Sequence, residues 1–148
     1  MKSPVTFFRT VPILFALLLT VAALPSLAAQ TRMSDKDVEQ LMKNMDQDSK
    51  KFQSLFNSAV SKSVIRKTSQ EKDAKKLVDG FQKGAKTLYD HFKKTKKSDP
   101  YLQNSLDSAA QIDKFLHTTQ LDADTNAQWG KVRKELNDLA TAFNLAGH

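Results

Sequence analysis

Beyond Gln30 the apolar residues recur every three or four positions, which is the spacing of one buried face of an α-helix. We find four such segments, and no run in which apolar and polar residues alternate as in a half-buried strand. The first helix is predicted to begin at Ser34, whose hydroxyl can accept a hydrogen bond from an amide of the first turn, and to end near Lys62. Its predicted buried positions are Val38, Leu41, Met42, Met45, Phe52, Leu55, Phe56 and Ala59.

The second helix begins at a capping box, Thr68-Ser69-Gln70-Glu71, in which the Thr and Glu side chains each satisfy a backbone donor. It is predicted to end in the lysine-rich segment 93–97, because cations are favoured at the negative end of a helix dipole. Asp99 is then predicted to cap the third helix, with Pro100 in its first position. The predicted buried positions of the second helix are Ala74, Leu77, Val78, Phe81, Gly84, Ala85, Leu88, His91 and Phe92.

Two further helices complete the pattern. The third is predicted to stop near residues 117–120, and the fourth to begin at Asp122 or Asp124. Connections of about three to eight residues favour antiparallel neighbours. The sequence therefore predicts an all-α fold, an antiparallel up-down-up-down four-helix bundle. The predicted buried positions are Leu102, Leu106, Ala109, Ile112 and Leu116 in the third helix and Trp129, Val132, Leu136, Leu139, Ala140 and Phe143 in the fourth.

The beginning of the chain has the pattern of a secretory signal peptide. Basic residues precede an apolar run, and the small residues Ser26 and Ala28 stand where a signal peptidase requires them. The run contains about a dozen apolar residues, whereas a membrane-spanning helix needs about 20, so cleavage is favoured over an uncleaved anchor. We predict that residues 1–28 are removed, with a cut before Gln30 as the alternative.

Cleavage leaves residues 29–148 as one bundle domain with no transmembrane segment, exported to the periplasm or released from the cell. It removes Lys2 and Arg9 from the 23 basic residues and none of the 16 acidic ones, so the formal net charge falls from +7 to +5. The chain has no Cys, which excludes disulfides, iron–sulfur clusters and thiol catalysis. With 40% hydrophobic and 26% charged residues, the composition is that of a globular protein.

No set of residues has the spacing of a familiar cofactor site. A di-iron bundle needs Glu-x-x-His on two helices, and no Glu of this chain precedes a His by three positions. Haem-binding bundles pair a Met of the first helix with a His of the last. Met42 or Met45 could be the Met ligand of the haem iron, but the fourth predicted helix contains no His. We therefore assign no catalytic residue, metal ligand or cofactor, and a carrier that uses the bundle interior remains the alternative function.

Three charged residues fall at or beside the predicted core face, namely Asp48, Asp113 and Arg133. Because the first and third helices of such a bundle both neighbour the fourth, Arg133 could bridge Asp48 or Asp113 by a two-pronged hydrogen-bonded pair. We interpret Arg133 and its Asp partner as a buried structural pair, and breaking this pair would lower the stability of the fold by about 3–5 kcal/mol. The alternative is an enzyme with an unfamiliar site built from these residues and His91. For His91 alone, an ordinary histidine at the core edge is favoured over a ligand or general base.

Two groups of basic residues predict an anionic partner. They lie at opposite ends of the second helix and need not form one surface, and charge runs are often only solvated faces or helix-end compensation. The predicted partner is an anionic polymer of the cell envelope or lipid headgroups. No specific nucleic acid is expected, because the aromatic residues fall mostly on core positions. One group is Lys93, Lys94, Lys96 and Lys97, and the other is Arg66, Lys67, Lys75 and Lys76 with Lys62 and Lys72 beside them.

The end of the chain resembles an uncharacterised group of bacterial secreted helical-bundle proteins. The resemblance rests on Trp129, Arg133 and the run Leu136-Asn137-Asp138-Leu139-Ala140, preceded by Ile112-Asp113-Lys114-Phe115-Leu116. It covers most of the predicted mature chain and implies a helical bundle and export, but it brings no activity, ligand or catalytic residue. Taken together, the sequence predicts an exported, non-enzymatic helical domain that binds or scaffolds a component of the cell envelope.

Overall fold

The computed structural model describes residues 33–145, and this part of the chain contains four α-helices and no strand. The predicted all-α fold is confirmed, and the arrangement is consistent with a four-helix bundle. The predicted signal peptide, residues 1–28, lies outside the described residues. The helices are α1 (Asp35–Val60), α2 (Ser69–Thr95), α3 (Tyr101–Thr118) and α4 (Ala123–Ala142).

Three of these helices begin at caps that the sequence predicts. The Ser34 hydroxyl accepts a hydrogen bond from an amide in the first turn of α1. The Thr68 hydroxyl accepts from the Glu71 amide at 3.3 Å at the start of α2, and the Asp122 carboxylate accepts from the Thr125 amide at 2.8 Å at the start of α4. Each cap satisfies an amide that has no acceptor within the helix.

The second half of the capping box in α2 differs from the prediction. The Thr68 amide donates to the Ile65 carbonyl at 3.1 Å and is therefore already satisfied. The Glu71 carboxylate instead accepts from the amide of Lys67. Lys67 has a left-handed backbone with φ of 63°, and this reversal of the chain brings its amide to the start of the helix.

The predicted cap of α3 by Asp99 is wrong. The helix begins at Tyr101, Pro100 is the residue before it, and no side chain caps its start. Main-chain atoms close the first turn instead, because the Leu102 amide donates to the Ser98 carbonyl at 3.1 Å. With this donor satisfied by the backbone, the Asp99 side chain remains exposed.

Helices that are neighbours along the chain pack together, and α1 also packs against α4. α1 and α2 run in opposite directions. Lys75, near the start of α2, donates to the hydroxyl of Ser61 just after α1, and Lys96, at the end of α2, donates to Glu39 near the start of α1. α3 and α4 share the smallest of the interfaces.

The apolar faces of the helices meet in one core. Trp129 of α4 joins three helices, because its ring lies 4.7 Å from that of Phe52 on α1 and 5.3 Å from that of Phe81 on α2. Several positions predicted to be buried are only partly buried in the structure: Leu41, Leu55, Leu77, Gly84, His91, Leu106, Leu116 and Phe143. The largest fully buried side chains are Phe52, Phe56, Phe81, Phe92, Met42, Met45, Leu88, Leu102, Ile112, Leu136, Leu139 and Val60.

Candidate functional site

The lysines at the end of α2 are all exposed: Lys93, Lys94, Lys96 and Lys97. Lys93 and Lys94 lie in the last helical turn, where a cation stabilises the negative end of the dipole. Lys96 caps the helix with a left-handed backbone (φ 56°), and its ammonium donates to the Glu39 carboxylate of α1 at 2.7 Å. This ion pair links the end of α2 to the start of α1.

A groove of about 350 Å³ lies between α1 and α2 beside these lysines. Within the part of the chain that the structure describes, three lysines and one glutamate line it. Lys36 and Lys43 reach it from α1, although nothing in the sequence pattern joined them to the lysines of α2. We call it the α1–α2 groove, and its lining residues are Lys36, Glu39, Gln40, Lys43, Tyr89 and Lys96.

Among the described residues that line the groove, Glu39 is the only acidic one, and it lies among cations. The hydrogen bond from Lys96, with the positive charges of Lys96 and Lys93, holds the pKa of Glu39 below its ordinary value. Glu39 is therefore ionised at neutral pH. The side chains of the pair are 29% exposed for Glu39 and 45% for Lys96, and pairs with this exposure contribute little to stability.

The second basic group lies around the start of α2. Lys75 is held in place, because its ammonium donates to the Glu71 carboxylate at 2.7 Å and to the Ser61 hydroxyl at 2.8 Å. The hydrogen bonds from Lys75 and from the Lys67 amide lower the pKa of Glu71 to about 2. The other members of the group are exposed and form no ion pair within residues 33–145: Arg66, Lys67 and Lys76.

The two basic groups form separate surfaces. Lys76 and Lys93 are their nearest members along α2, and a rise of 1.5 Å per residue places them about 25 Å apart. A small ligand bound at one group therefore does not reach the other. Of the two, only the group at the end of α2 adjoins the α1–α2 groove.

Arg133 pairs with Asp113 and not with Asp48. The Arg133 Nε lies 3.1 Å from the Asp113 Oδ2, and the Asp113 Oδ1 accepts from the Trp129 indole N–H at 2.6 Å. The side chains of Arg133 and Asp113 are 29% and 41% exposed, so the pair lies at the edge of the α3–α4 interface instead of being buried as expected. Its main contribution is to satisfy the N–H of Trp129, which is itself buried.

Asp48 faces α4 at a different place, beside Gln128 and Glu135. The buried Gln128 amide donates to the Asp48 Oδ1 at 2.9 Å and to the Asp48 main-chain carbonyl at 3.1 Å. The Glu135 Oε2 is buried and has no hydrogen-bond partner among the described residues. Two carboxyl groups and one amide therefore meet at the α1–α4 interface.

Folding raises the pKa of Glu135 at this interface. Burial and the negative charge of Asp48 raise the pKa of Glu135 to about 7, and Asp138 acts in the same direction while Lys134 opposes it. Two adjacent carboxylates repel each other, so the protonated form of one is favoured in the fold. The arrangement can take up or release a proton near neutral pH.

The residues of the enzyme alternative do not form one cluster. The His91 ring lies 4.7 Å from the ring of Tyr101, at the start of α3. Asp113 is twelve residues after Tyr101 on α3, which places it about 18 Å from Tyr101 along the helix axis. Asp48 accepts hydrogen bonds from Gln128, and Arg133 pairs with Asp113 instead. In the described part of the chain, no group of three or more His, Asp or Glu side chains could hold a metal ion.

Comparisons with protein families, with curated proteins and with solved structures find no match for this chain. The resemblance to bacterial secreted helical proteins therefore stays a prediction. Among residues 33–145, no helix has both the length and the apolar character needed to cross a membrane.

Proposed function

We propose that this chain is an exported, non-enzymatic binding or scaffold domain of the cell envelope, an antiparallel up-down-up-down bundle that remains after residues 1–28 are removed. Its partner is anionic, an envelope polymer or lipid headgroups. The observation that carries the proposal is the convergence of Lys36 and Lys43 of α1 with Lys96 of α2 around one groove. An anionic partner meets cations from two helices there.

The distribution of charge supports an anionic partner. Helix-end compensation explains Lys93 and Lys94 at the negative end of α2, but it does not explain Lys36 or Lys43 on α1. Both α1 lysines are exposed and form no ion pair within residues 33–145. Like charges held close together raise the local positive potential, and this potential attracts an anionic ligand.

The filled interior supports a function at the surface over a carrier function. The inward positions of the helices are occupied by large side chains that are fully buried, among them Phe52, Phe81 and Leu136. These side chains pack against one another in one apolar cluster. A cofactor placed among them would have to displace several of them, at a cost of several kcal/mol.

The test is the salt dependence of binding by the purified protein. Immobilised anionic polysaccharide and vesicles of anionic phospholipid are the two probes, and neutral dextran is the control. We expect binding to at least one anionic probe at low salt, a steep loss of affinity as NaCl is raised, and no binding to dextran. Failure to bind either anionic probe at low salt would contradict the proposed function.

A further inference from the structure

We propose that the α1–α2 groove binds an acidic polysaccharide, and that the Glu39 carboxylate pairs with Lys96 until an anionic group of the ligand replaces this carboxylate. This inference rests on the proposed function. It adds the position of the site, the chemical class of the ligand and a competitor for the ligand within the protein itself.

The spacing of the cations in the groove suits an anionic polymer better than a single small ion. Lys36 and Lys43 are seven residues apart on α1, so they lie on one face of the helix at about 10 Å along its axis. Lys96 faces them from α2. Ammonium groups at such intervals suit anionic groups that repeat along a polymer. No Arg among residues 33–145 lines the groove, so the described lining recognises a ligand through point charges more than through two-pronged hydrogen bonds.

The uncharged lining favours sugar over lipid. Gln40 and the partly buried Tyr89 offer an amide, a phenol and an aromatic ring, which match the hydroxyl groups and the apolar faces of sugar rings. A lipid surface is flat and also favours apolar side chains that insert beside the lysines. The most exposed large apolar side chain of the described residues, Val64 at 95%, lies at the opposite end of α2, and Met33 is only 36% exposed.

Glu39 lowers the affinity of the groove in the free protein. Its carboxylate accepts from the Lys96 ammonium at 2.7 Å, and an incoming anionic group must either displace it or bind beside its negative charge. A partly exposed ion pair is easily exchanged for another, so displacement is feasible. A unit charge a few ångströms away in water changes binding by about fivefold, and neutralising Glu39 should strengthen binding by this factor.

The test measures the affinity of the purified protein for alginate, a polymer of uronic acids, by calorimetric titration at low salt. We expect Glu39→Gln to strengthen binding by about fivefold and Lys43→Gln to weaken it by about fivefold. Asp90→Asn is the control for Glu39→Gln, because it makes the same change in net charge near the end of α2 but pairs with Lys86 outside the groove. Lys114→Gln on the exposed face of α3 is the control for Lys43→Gln, and both controls should change affinity by less than about twofold.

The possible results separate the inference from the proposed function. Equal strengthening by Glu39→Gln and Asp90→Asn would indicate diffuse attraction by net charge and would overturn the groove as the site, leaving the proposed function intact. Binding to anionic vesicles without binding to alginate would overturn the polysaccharide as the ligand class. Absence of binding to both probes would overturn the proposed function itself. Circular dichroism of each variant verifies that the helices are retained.

Discussion

Replacing Glu135 by Gln removes a carboxyl group that folding places next to Asp48 at the α1–α4 interface. In the unfolded chain Glu135 ionises near its ordinary pKa of 4.5, whereas burial and Asp48 raise its pKa to about 7 in the folded protein. Below the unfolded pKa the Glu135 carboxyl is protonated in both states and does not change the free energy of unfolding. Between the unfolded and the folded pKa, Glu135 ionises in the unfolded chain but stays protonated in the folded protein, so the folded protein loses stability as the pH rises. Above the folded pKa this loss is complete.

The magnitude follows from the two pKa values. Each pKa unit is about 1.36 kcal/mol, so the separation sets an upper limit of about 3 kcal/mol for the stability lost above the folded pKa. Because Glu135 is only partly buried, solvent screening reduces the expected loss to about 1–2 kcal/mol. Gln has almost the same shape and cannot ionise. We therefore expect Glu135→Gln to match the wild type near pH 4 and to be more stable by about 1–2 kcal/mol near pH 8.

Guanidinium denaturation followed by the fluorescence of Trp129 gives the free energy of unfolding of both proteins at each pH. All other ionisable groups are present in both proteins, so their contributions cancel in the difference. Asp107→Asn, which removes an exposed carboxylate of α3, is the matched control and should change stability by less than about 0.5 kcal/mol at either pH. A stabilisation by Glu135→Gln that is equal near pH 4 and pH 8, or absent near pH 8, would contradict this expectation.

Three further results are expected. Asp113→Ala should destabilise the protein by about 1–3 kcal/mol, because the buried Trp129 N–H loses its acceptor. Arg133→Met should lower stability by less than about 1 kcal/mol, because the ion pair is partly exposed. Equal losses of the two variants in chemical denaturation would contradict this expectation. Gly80→Ala should stabilise by about 0.5–1 kcal/mol, since an added Cβ on this face of α2 meets nothing within 4 Å, and a lowered melting temperature would show the opposite. Intact-mass spectrometry of the exported protein should give a chain that starts at Ala29, and retention of the signal peptide would contradict the proposed cleavage.

The helices could be predicted from sequence because apolar periodicity reports directly on burial. The predicted core positions Phe52, Phe81 and Leu136 are fully buried in the structure. The partner of Arg133 could not be predicted in the same way. Asp48 and Asp113 both lie on helices next to α4, and the choice between them depends on how each helix is rotated about its axis, which periodicity determines only roughly.

The candidate site was only partly visible in the sequence. The lysines at the end of α2 stand out as a run, but Lys36 and Lys43 are dispersed along a solvated face of α1, and only the antiparallel packing of the two helices brings them to the same groove. A signal for the carboxyl pair did exist. Gln128 and Glu135 are seven residues apart and share one face of α4, where polar residues facing α1 require polar partners.

Binding of an anionic chain in the α1–α2 groove is tested most directly by amide NMR spectra of the protein recorded during titration with alginate. We expect the shift changes to be concentrated around Lys43, Tyr89 and Lys96, to saturate, and to be reversed by added NaCl. Changes that are absent, that are spread evenly over the exposed lysines of every helix, or that centre on residues 66–76 would contradict it.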